Sequence, residues 1–296
     1  MTTLRPLAAL LGDYPVTAAL RRGEIASDRV RLDFADVTPP SKAFKRTVRE
    51  AAFDVSELAI MTFLQARALG KPLVLLPAVV MQRPQHPFLV YNRARGALTP
   101  RDLAGKRVGI RSYAVTTTVW LRQVLQDDFG VDPAAVRWVS FEEPHLAEYR
   151  EPANAERAPA DRTPLDMLLD GELDAAILAD AKLPDERLAR LFADPAAEDA
   201  AWRARHGGAM MVNHMVVVTE RLVREDPDAV REVWRMLKES RARAGLPIGA
   251  DDPNPYGAAP NRRNFQIAID YATRQGLLAR PLTVDDLYDD VTRALD

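Results

Sequence analysis

The stretch Gly105 to Val131, GKRVGIRSYAVTTTVWLRQVLQDDFGV, reads as a strand, a polar turn and a helix in direct succession. Val108 and Ile110 alternate as in a buried strand, and the apolar residues between Val119 and Leu125 recur at helical spacing. Strands alternating with helices of similar length recur on both sides of this stretch. The pattern therefore predicts a mostly parallel α/β architecture.

The turn inside this stretch is predicted to hold an anion. It carries one guanidinium, several hydroxyls and free backbone N–H groups at a helix start. Unpaired amides and the helix dipole both favour negative charge at such a place. The predicted ligands of a carboxylate are Arg111, Ser112, Tyr113, Thr116 and Thr117. Simple capping of the helix by Thr116 or Thr117 is the commoner use of these residues and stays open.

Bulk composition excludes several classes of function. The 296 residues suffice for two domains or lobes, and 47% hydrophobic with 28% charged residues is ordinary for a globular protein. A formal charge of -2 predicts neither nucleic acid nor a membrane as partner. The absence of cysteine removes disulfides and thiolate chemistry. No stretch has membrane-spanning length, and no secretory signal is recognised near the start, so a cytoplasmic location is expected.

Apolar alternation and helical spacing also predict the helices and strands on both sides of the stretch Gly105 to Val131. Ser56 and Glu57 are predicted to open a helix after a strand. Residues 142–162, rich in Pro, Ala and charge, are predicted to form a surface loop or lid. The remaining predicted strands are 7–11, 30–34, 73–79, 136–141, 173–178 and 213–219, and the remaining predicted helices are 16–22, 41–52, 164–169, 226–243, 264–275 and 284–295.

Several pieces in this order resemble the 4,5-dihydroxyphthalate decarboxylase family. The matching pieces span nearly the whole chain. One of them, Asp102 to Gly109, overlaps the start of the stretch Gly105 to Val131 and is shared widely among binding proteins. They are Gly12-Asp13-Tyr14, Phe53-Asp54-Val55-Ser56-Glu57, His86 before the segment ending in Tyr91-Asn92, Asp102 to Gly109, Glu142-Glu143-Pro144, His214 to Val218, and Asp252 to Gly257 with Asn261-Arg262.

This resemblance implies the type 2 periplasmic-binding-protein fold, an α/β fold in which two lobes are joined by two crossing strands with a ligand cleft between them. Lobe one would comprise residues 1–90 plus 215–296, and lobe two residues 91–214. The crossings would then carry His86 and His214, which makes both histidines candidates for catalysis.

Histidine titrates near neutral pH and can act as general acid or base, or as a metal ligand. Each histidine taken alone is better explained as a buried, hydrogen-bonded residue, whereas the pair on two crossings favours catalysis. Which of His86 and His214 is the acid stays open. His145 is expected to be a solvated loop residue.

Substrate-binding residues are predicted on both lobes. Ser56 and Glu57 would lie at a helix start that faces the Arg111 to Thr117 turn, which leads into another helix. The residues at these two helix starts would then bind opposite ends of an acidic ligand. Tyr14 would border the site as a stacking or phenol-binding residue, although a core role is nearly as common.

The resemblance implies cofactor-independent decarboxylation of a hydroxylated aromatic carboxylate similar to 4,5-dihydroxyphthalate. A non-catalytic solute-binding protein for an organic acid and a dehydratase on the same fold are the alternatives. The expected partner is a small aromatic or organic acid. No cofactor is expected, and a divalent metal on the histidines and a homo-oligomer both stay open.

Overall fold

The computed structural model describes residues 4–180, 182–249 and 252–295. The chain folds into two compact units, unit 1 from residues 1–83 with 212–296 and unit 2 from residues 84–211. The limits expected from the sequence lie a few residues further along the chain. Each unit combines one β-sheet with helices, so the predicted α/β class is confirmed.

Unit 1 is built on a five-stranded sheet in the order β2-β1-β3-β11-β4, with elements numbered along the chain. Strands β1 and β3 run parallel, whereas β11 is antiparallel to both of its neighbours. The returning chain therefore supplies an inner strand of this sheet. The strands are β1 (Arg5–Leu10), β2 (Val30–Phe34), β3 (Val55–Ala59), β4 (Leu73–Gln82) and β11 (Val212–Thr219).

Two strands inside this sheet, β3 and β11, are almost completely buried. All five residues of β3 are buried, and β11 is almost entirely buried, as expected for strands covered on both faces. Strand β4 carries Pro77 in its interior, which lacks a backbone N–H and is tolerated because β4 lies at the sheet edge.

The helices of unit 1 cover this sheet. In one of the two longest, Asp226 caps the start by accepting from the Ala229 N–H, and Val230, Val233 and Leu237 form part of its buried face. The helices are α1 (Pro15–Arg21), α2 (Phe44–Glu50), α3 (Ile60–Ala68), α7 (Glu220–Glu225), α8 (Pro227–Arg243), α9 (Ala258–Arg274) and α10 (Asp290–Arg293).

Unit 2 contains a six-stranded sheet in the order β10-β5-β9-β6-β7-β8. The stretch Gly105 to Val131 forms β6 and α4 as predicted. Helix α4 ends at Gly130, which has the left-handed conformation with φ 69°. The strands are β5 (Leu89–Asn92), β6 (Arg107–Ile110), β7 (Arg137–Ser140), β8 (Ala155–Arg157), β9 (Ala175–Ile177) and β10 (Leu188–Arg190), and the helices are α4 (Thr116–Phe129), α5 (Pro164–Asp170) and α6 (Pro195–Arg205).

Two predictions that bear on the site are wrong. Ser56 and Glu57 do not open a helix, because both lie within β3 and α3 begins only at Ile60. His86 does not lie on a strand but begins a 3-10 turn, His86–Phe88, that precedes β5. In both places a short apolar run was assigned to the neighbouring element, which periodicity alone does not separate.

Two predicted helices near the end of the chain also differ. Helix α9 starts at Ala258, six residues before the predicted 264. The predicted helix 284–295 is a 3-10 turn, Val284–Leu287, followed by the short α10, because Tyr288 is extended and Asp289 starts a newly capped turn.

Candidate active site

Three side chains predicted from the sequence, Tyr14, Glu57 and His214, meet in unit 1 at one carboxylate. The Tyr14 hydroxyl donates to Glu57 Oε1 at 2.6 Å, and His214 Nδ1 lies 2.5 Å from the same oxygen. The second oxygen, Oε2, accepts from the Gly12 backbone N–H at 2.7 Å. Glu57 is therefore the common acceptor of a phenol, an imidazole and an amide.

Strand pairing brings Glu57 and His214 together. In the antiparallel pair of β3 and β11, Glu57 lies opposite Val216 and His214 lies opposite Ala59. The two side chains are thus diagonal neighbours on one face of the sheet, within reach of each other. The pairing of β11 with β4 is irregular between Val212 and Val216, and such irregularities often redirect a side chain near a site.

The hydrogen bond to Glu57 determines which imidazole nitrogen is available. Since Nδ1 shares its proton with the carboxylate, Nε2 is the nitrogen left to exchange a proton with a ligand. The Glu57 side chain is fully buried, whereas that of His214 is 14% exposed. The edge of the Phe44 ring packs against the imidazole, with the ring centroids 5.2 Å apart. This arrangement can hold and deliver one proton at a partly open surface.

Tyr14 is kept protonated by its surroundings. Burial raises the pKa of its phenol well above the ordinary value, the charge of Glu57 and the hydrogen bond to it raise it further, and the charge of Arg83 opposes the rise. Gly12 makes this placement possible, since a Cβ there would lie 2.5 Å from Tyr14 Cε2. The Gly12-Asp13-Tyr14 piece of the sequence thus builds one wall of the cluster.

Ser56 does not join the cluster. Its side chain is buried, with the hydroxyl donating to the Glu57 carbonyl oxygen at 2.7 Å and lying 3.1 Å from Thr47 Oγ1. The prediction that Ser56 binds a ligand depended on a helix start at this position, and that helix start is absent. Its observed contacts join β3 to α2.

His86 lies in unit 2 in a very different environment. It is fully buried, and neither ring nitrogen has a hydrogen-bond partner within the described part of the chain. Phe192 packs edge-on at 5.0 Å between ring centroids, and the nearest carboxylate oxygen, on Asp199, is 4.0 Å from Nδ1. Burial, assisted by the charge of Arg205, lowers the pKa of His86 to about 4.

The predicted anion-binding turn does hold a carboxylate, but one from the same chain. Glu151 Oε1 accepts from the Tyr113 backbone N–H at 2.9 Å and from Ser112 Oγ at 3.4 Å. Its Oε2 accepts from Ser140 Oγ at 2.8 Å and from Arg157 Nη2 at 3.0 Å. Two of the five predicted carboxylate ligands, Ser112 and Tyr113, therefore bind a carboxylate of the chain itself, and binding of a substrate by this turn stays a prediction.

Arg111 at the start of this turn has partners of its own. Its Nε lies 3.2 Å from Glu142 Oε2, and Nη2 lies 3.2 Å from His145 Nε2. His145 is only 7% exposed, so the expectation of a solvated loop histidine is wrong. The segment 142–162, predicted as a loop or lid, packs His145 and Glu151 inward and contains β8.

Thr116 and Thr117 are the first two residues of α4, and neither caps it. The cap position is Val115, whose side chain makes no capping hydrogen bond. Thr116 is buried and Thr117 is half-buried. The capping alternative is therefore wrong, while a ligand role for either threonine remains a prediction.

Arg122 is a residue that the sequence reasoning missed. It is completely buried on α4, donates to the Tyr113 carbonyl oxygen at 2.6 Å and stacks over the Tyr113 ring at 3.6 Å. Burial lowers its pKa to about 10. The detectable signal was a charged residue between Val119 and Val124 on the apolar face of a predicted helix.

The described residues show neither a cluster of metal ligands nor a membrane-spanning helix. Within residues 4–180, 182–249 and 252–295, no three His, Asp or Glu side chains are grouped so that they could bind a metal ion together. Among the same residues, no helix combines the length and apolar character needed to span a bilayer.

Comparisons with known proteins place the chain in a family. A family model described as NMT1/THI5 like matches residues 34–157. The 4,5-dihydroxyphthalate decarboxylase of Comamonas testosteroni is 28% identical over 248 residues, covering 80% of this chain and 74% of the relative. The enzyme of that name from Pseudomonas putida is 32% identical over 179 residues, covering 58% of this chain and 69% of the relative.

Solved structures agree on the fold. The alkanesulfonate-binding protein of Xanthomonas axonopodis pv. citri bound to MOPS superposes with a TM-score of 0.59 at 15% identity, covering 98% of each chain. This likeness confirms the periplasmic-binding-protein-like fold expected from the sequence. The identity and coverage shared with the Pseudomonas putida enzyme establish that the chain belongs to the 4,5-dihydroxyphthalate decarboxylase family.

Proposed function

We propose that this protein removes carbon dioxide from a hydroxylated aromatic carboxylate, with His214 transferring the proton. The observation that carries the proposal is the His214 imidazole held by a buried carboxylate at 2.5 Å while part of its side chain reaches the surface. Both curated relatives described above are named 4,5-dihydroxyphthalate decarboxylase, which supports a substrate of this class.

The chemistry requires a proton donor aimed at a ring carbon. Direct loss of carbon dioxide would leave an aryl anion, so the ring carbon that bears the carboxylate is protonated first. A hydroxyl para to that carbon feeds electron density into the ring and transfers its proton transiently to water. The carbon–carbon bond then breaks, its electrons restore aromaticity, and the hydroxyl regains a proton as carbon dioxide leaves. The net reaction consumes one proton.

His214 suits this role better than His86. Glu57 holds Nδ1, which leaves Nε2 of a partly exposed imidazole to exchange a proton with a ligand. His86 is fully buried, and with a pKa of about 4 its imidazole is neutral at pH 7 and therefore a poor proton donor. The proposal therefore keeps one of the two histidines predicted from the sequence.

A carboxylate anchor is also needed. The turn from Arg111 to Thr117 already holds Glu151, whereas Arg83 in unit 1 is half-buried and its charge acts on the Tyr14 phenol. Arg83 is therefore the proposed partner of a substrate carboxylate, through charge-assisted hydrogen bonds. His214 as the acid would supply the proton and Arg83 as the anchor would hold the substrate, so we propose that no cofactor takes part.

The test is turnover of 4,5-dihydroxyphthalate by the purified protein. We expect one equivalent each of carbon dioxide and 3,4-dihydroxybenzoate, and in D2O we expect one deuterium at the ring carbon that the carboxylate has left. Phthalate without ring hydroxyls is the matched control and should not react. Saturable binding of 4,5-dihydroxyphthalate without carbon dioxide release would reject the decarboxylase and support a solute-binding protein.

A further inference from the structure

Tyr14 and His214 compete for the same oxygen of one carboxylate. Tyr14 Oη and His214 Nδ1 lie 2.6 Å and 2.5 Å from Glu57 Oε1, while the Gly12 N–H occupies Oε2. Each donor stabilises part of the negative charge on the carboxylate, and charge that is shared among donors attracts an imidazolium less strongly. The phenol is therefore positioned to weaken the hold of Glu57 on the proton of His214.

Burial makes this competition strong. The Glu57 side chain is fully buried, so water does not screen the carboxylate or replace a lost donor freely. The Tyr14 phenol stays protonated over the working pH range, because burial and the neighbouring carboxylate raise its pKa. Tyr14 therefore donates to Glu57 throughout that range.

The other groups around the imidazole do not perform this function. Phe44 faces it edge-on from α2, and Met81 lies opposite it on β4. The titratable groups facing it are Glu57 from β3 and Tyr14 at the start of α1, and the charge of Arg83 reaches the Tyr14 phenol. The hydroxyl of Tyr14 is the neutral donor that a single substitution can remove.

From this geometry we infer that Tyr14 sets the proton affinity of His214 through the carboxylate that the two residues share. Tyr14 is then a positioning and tuning residue, rather than the substrate-stacking residue predicted from the sequence. Gly12 belongs to the same device, because any larger residue would displace the Tyr14 ring. The inference deepens the proposed function and rests on the role given there to His214.

The test is an NMR titration of the histidine ring protons without substrate. The chain has four histidines, and the His214 signal is assigned by its loss in His214→Gln. In Tyr14→Phe, Glu57 keeps its full charge for His214, so the His214 pKa should rise by about 1 unit. His206, whose Nδ1 bonds to the Trp202 carbonyl oxygen in unit 2, is the internal control and should not shift.

Gly12→Ala provides an independent variant, since it keeps the phenol but moves the ring away from Glu57, and it should give an upward shift of the same sign. An unchanged or lowered His214 pKa in both variants would overturn the inference. The titration needs no turnover, so a protein that fails to decarboxylate would reject the proposed function while leaving this result intact. Where turnover is seen, the pH profile of kcat/KM should move with the titration.

Discussion

The sequence predicts the same catalytic role for His214 and His86, whereas the structure places them in contrasting environments. His214 is tied to a carboxylate and is partly exposed, whereas His86 is fully buried among ring carbons with no hydrogen bond to either nitrogen from the described residues. The same side chain therefore contacts a buried carboxylate in one place and packs against an aromatic ring in the other. The difference lies in its neighbours, since a carboxylate favours the charged ring and burial disfavours it.

The sharpest way to test this contrast is to remove each imidazole. His214→Gln keeps a donor for Glu57 but cannot transfer a proton, so kcat should fall by about 10²- to 10⁴-fold. His86→Leu is the matched control and should retain kcat within about threefold, because an apolar side chain suits its site. Steady-state assays with 4,5-dihydroxyphthalate measure both. If His86→Leu is folded but inactive, His86 takes part in catalysis and the contrast between the two histidines is wrong.

The pH dependence of stability should single out His86. Its pKa is about 4 in the folded state and near 6.5 when exposed, so between these values the unfolded chain binds the extra proton. As pH falls from 6.5 to 4, folding should therefore lose about 3 kcal/mol from this residue. Urea unfolding at pH 7, 5.5 and 4.5 measures the loss, and His86→Leu should lack this part of it. Parallel curves for the two proteins would refute the assignment.

Glu57 should matter to activity where Glu151 does not. Glu57→Gln removes the charge that orients and stabilises the His214 imidazolium, so kcat should fall by about 10- to 100-fold. Glu151→Gln alters a half-buried carboxylate that holds Ser112, Ser140 and Arg157 in unit 2, and it should lower the unfolding midpoint with little change in kcat. Equal losses of activity in the two variants would contradict the assigned roles.

Ser56 gives the smallest expected effect. Ser56→Ala removes its hydrogen bond to the Glu57 carbonyl oxygen and its contact with Thr47, and should cost about 1 kcal/mol of stability. KM and kcat should match the unchanged protein, because the hydroxyl faces the core. An increase in KM would support the ligand-binding role predicted from the sequence.

Most of the fold could be predicted from the sequence, because the apolar periodicity of a helix or strand is a local pattern. Strand β2 (Val30–Phe34) alternates apolar and polar residues and was placed at its observed bounds, and α8 was placed within one residue. Helix α6 (Pro195–Arg205) was missed, since its only buried side chain is Trp202 and little apolar periodicity remains. Residues 53–61 mix apolar with polar side chains, so the sequence pattern placed the boundary between β3 and α3 too early, at Ser56.

The site was readable only in part because its contacts are not local. Tyr14, Glu57 and His214 were each named as candidates, yet their meeting depends on the register of β3 with β11. Glu151 was not foreseen, because nothing in an aperiodic loop shows that its carboxylate folds back on the turn at Ser112. Sequence patterns identified the chemically suitable groups, and long-range pairing decided their partners.

The insertion of β11 between β3 and β4 has a consequence for synthesis. Glu57 and His214 are 157 residues apart in the chain, so at about 5–20 residues per second the carboxylate waits on the order of 10–30 s for its imidazole. Unit 2 is one continuous segment, 84–211, and is complete before that moment. A chain released early would carry a whole unit 2 but an unfinished sheet in unit 1, and would lack the contact between Glu57 and His214.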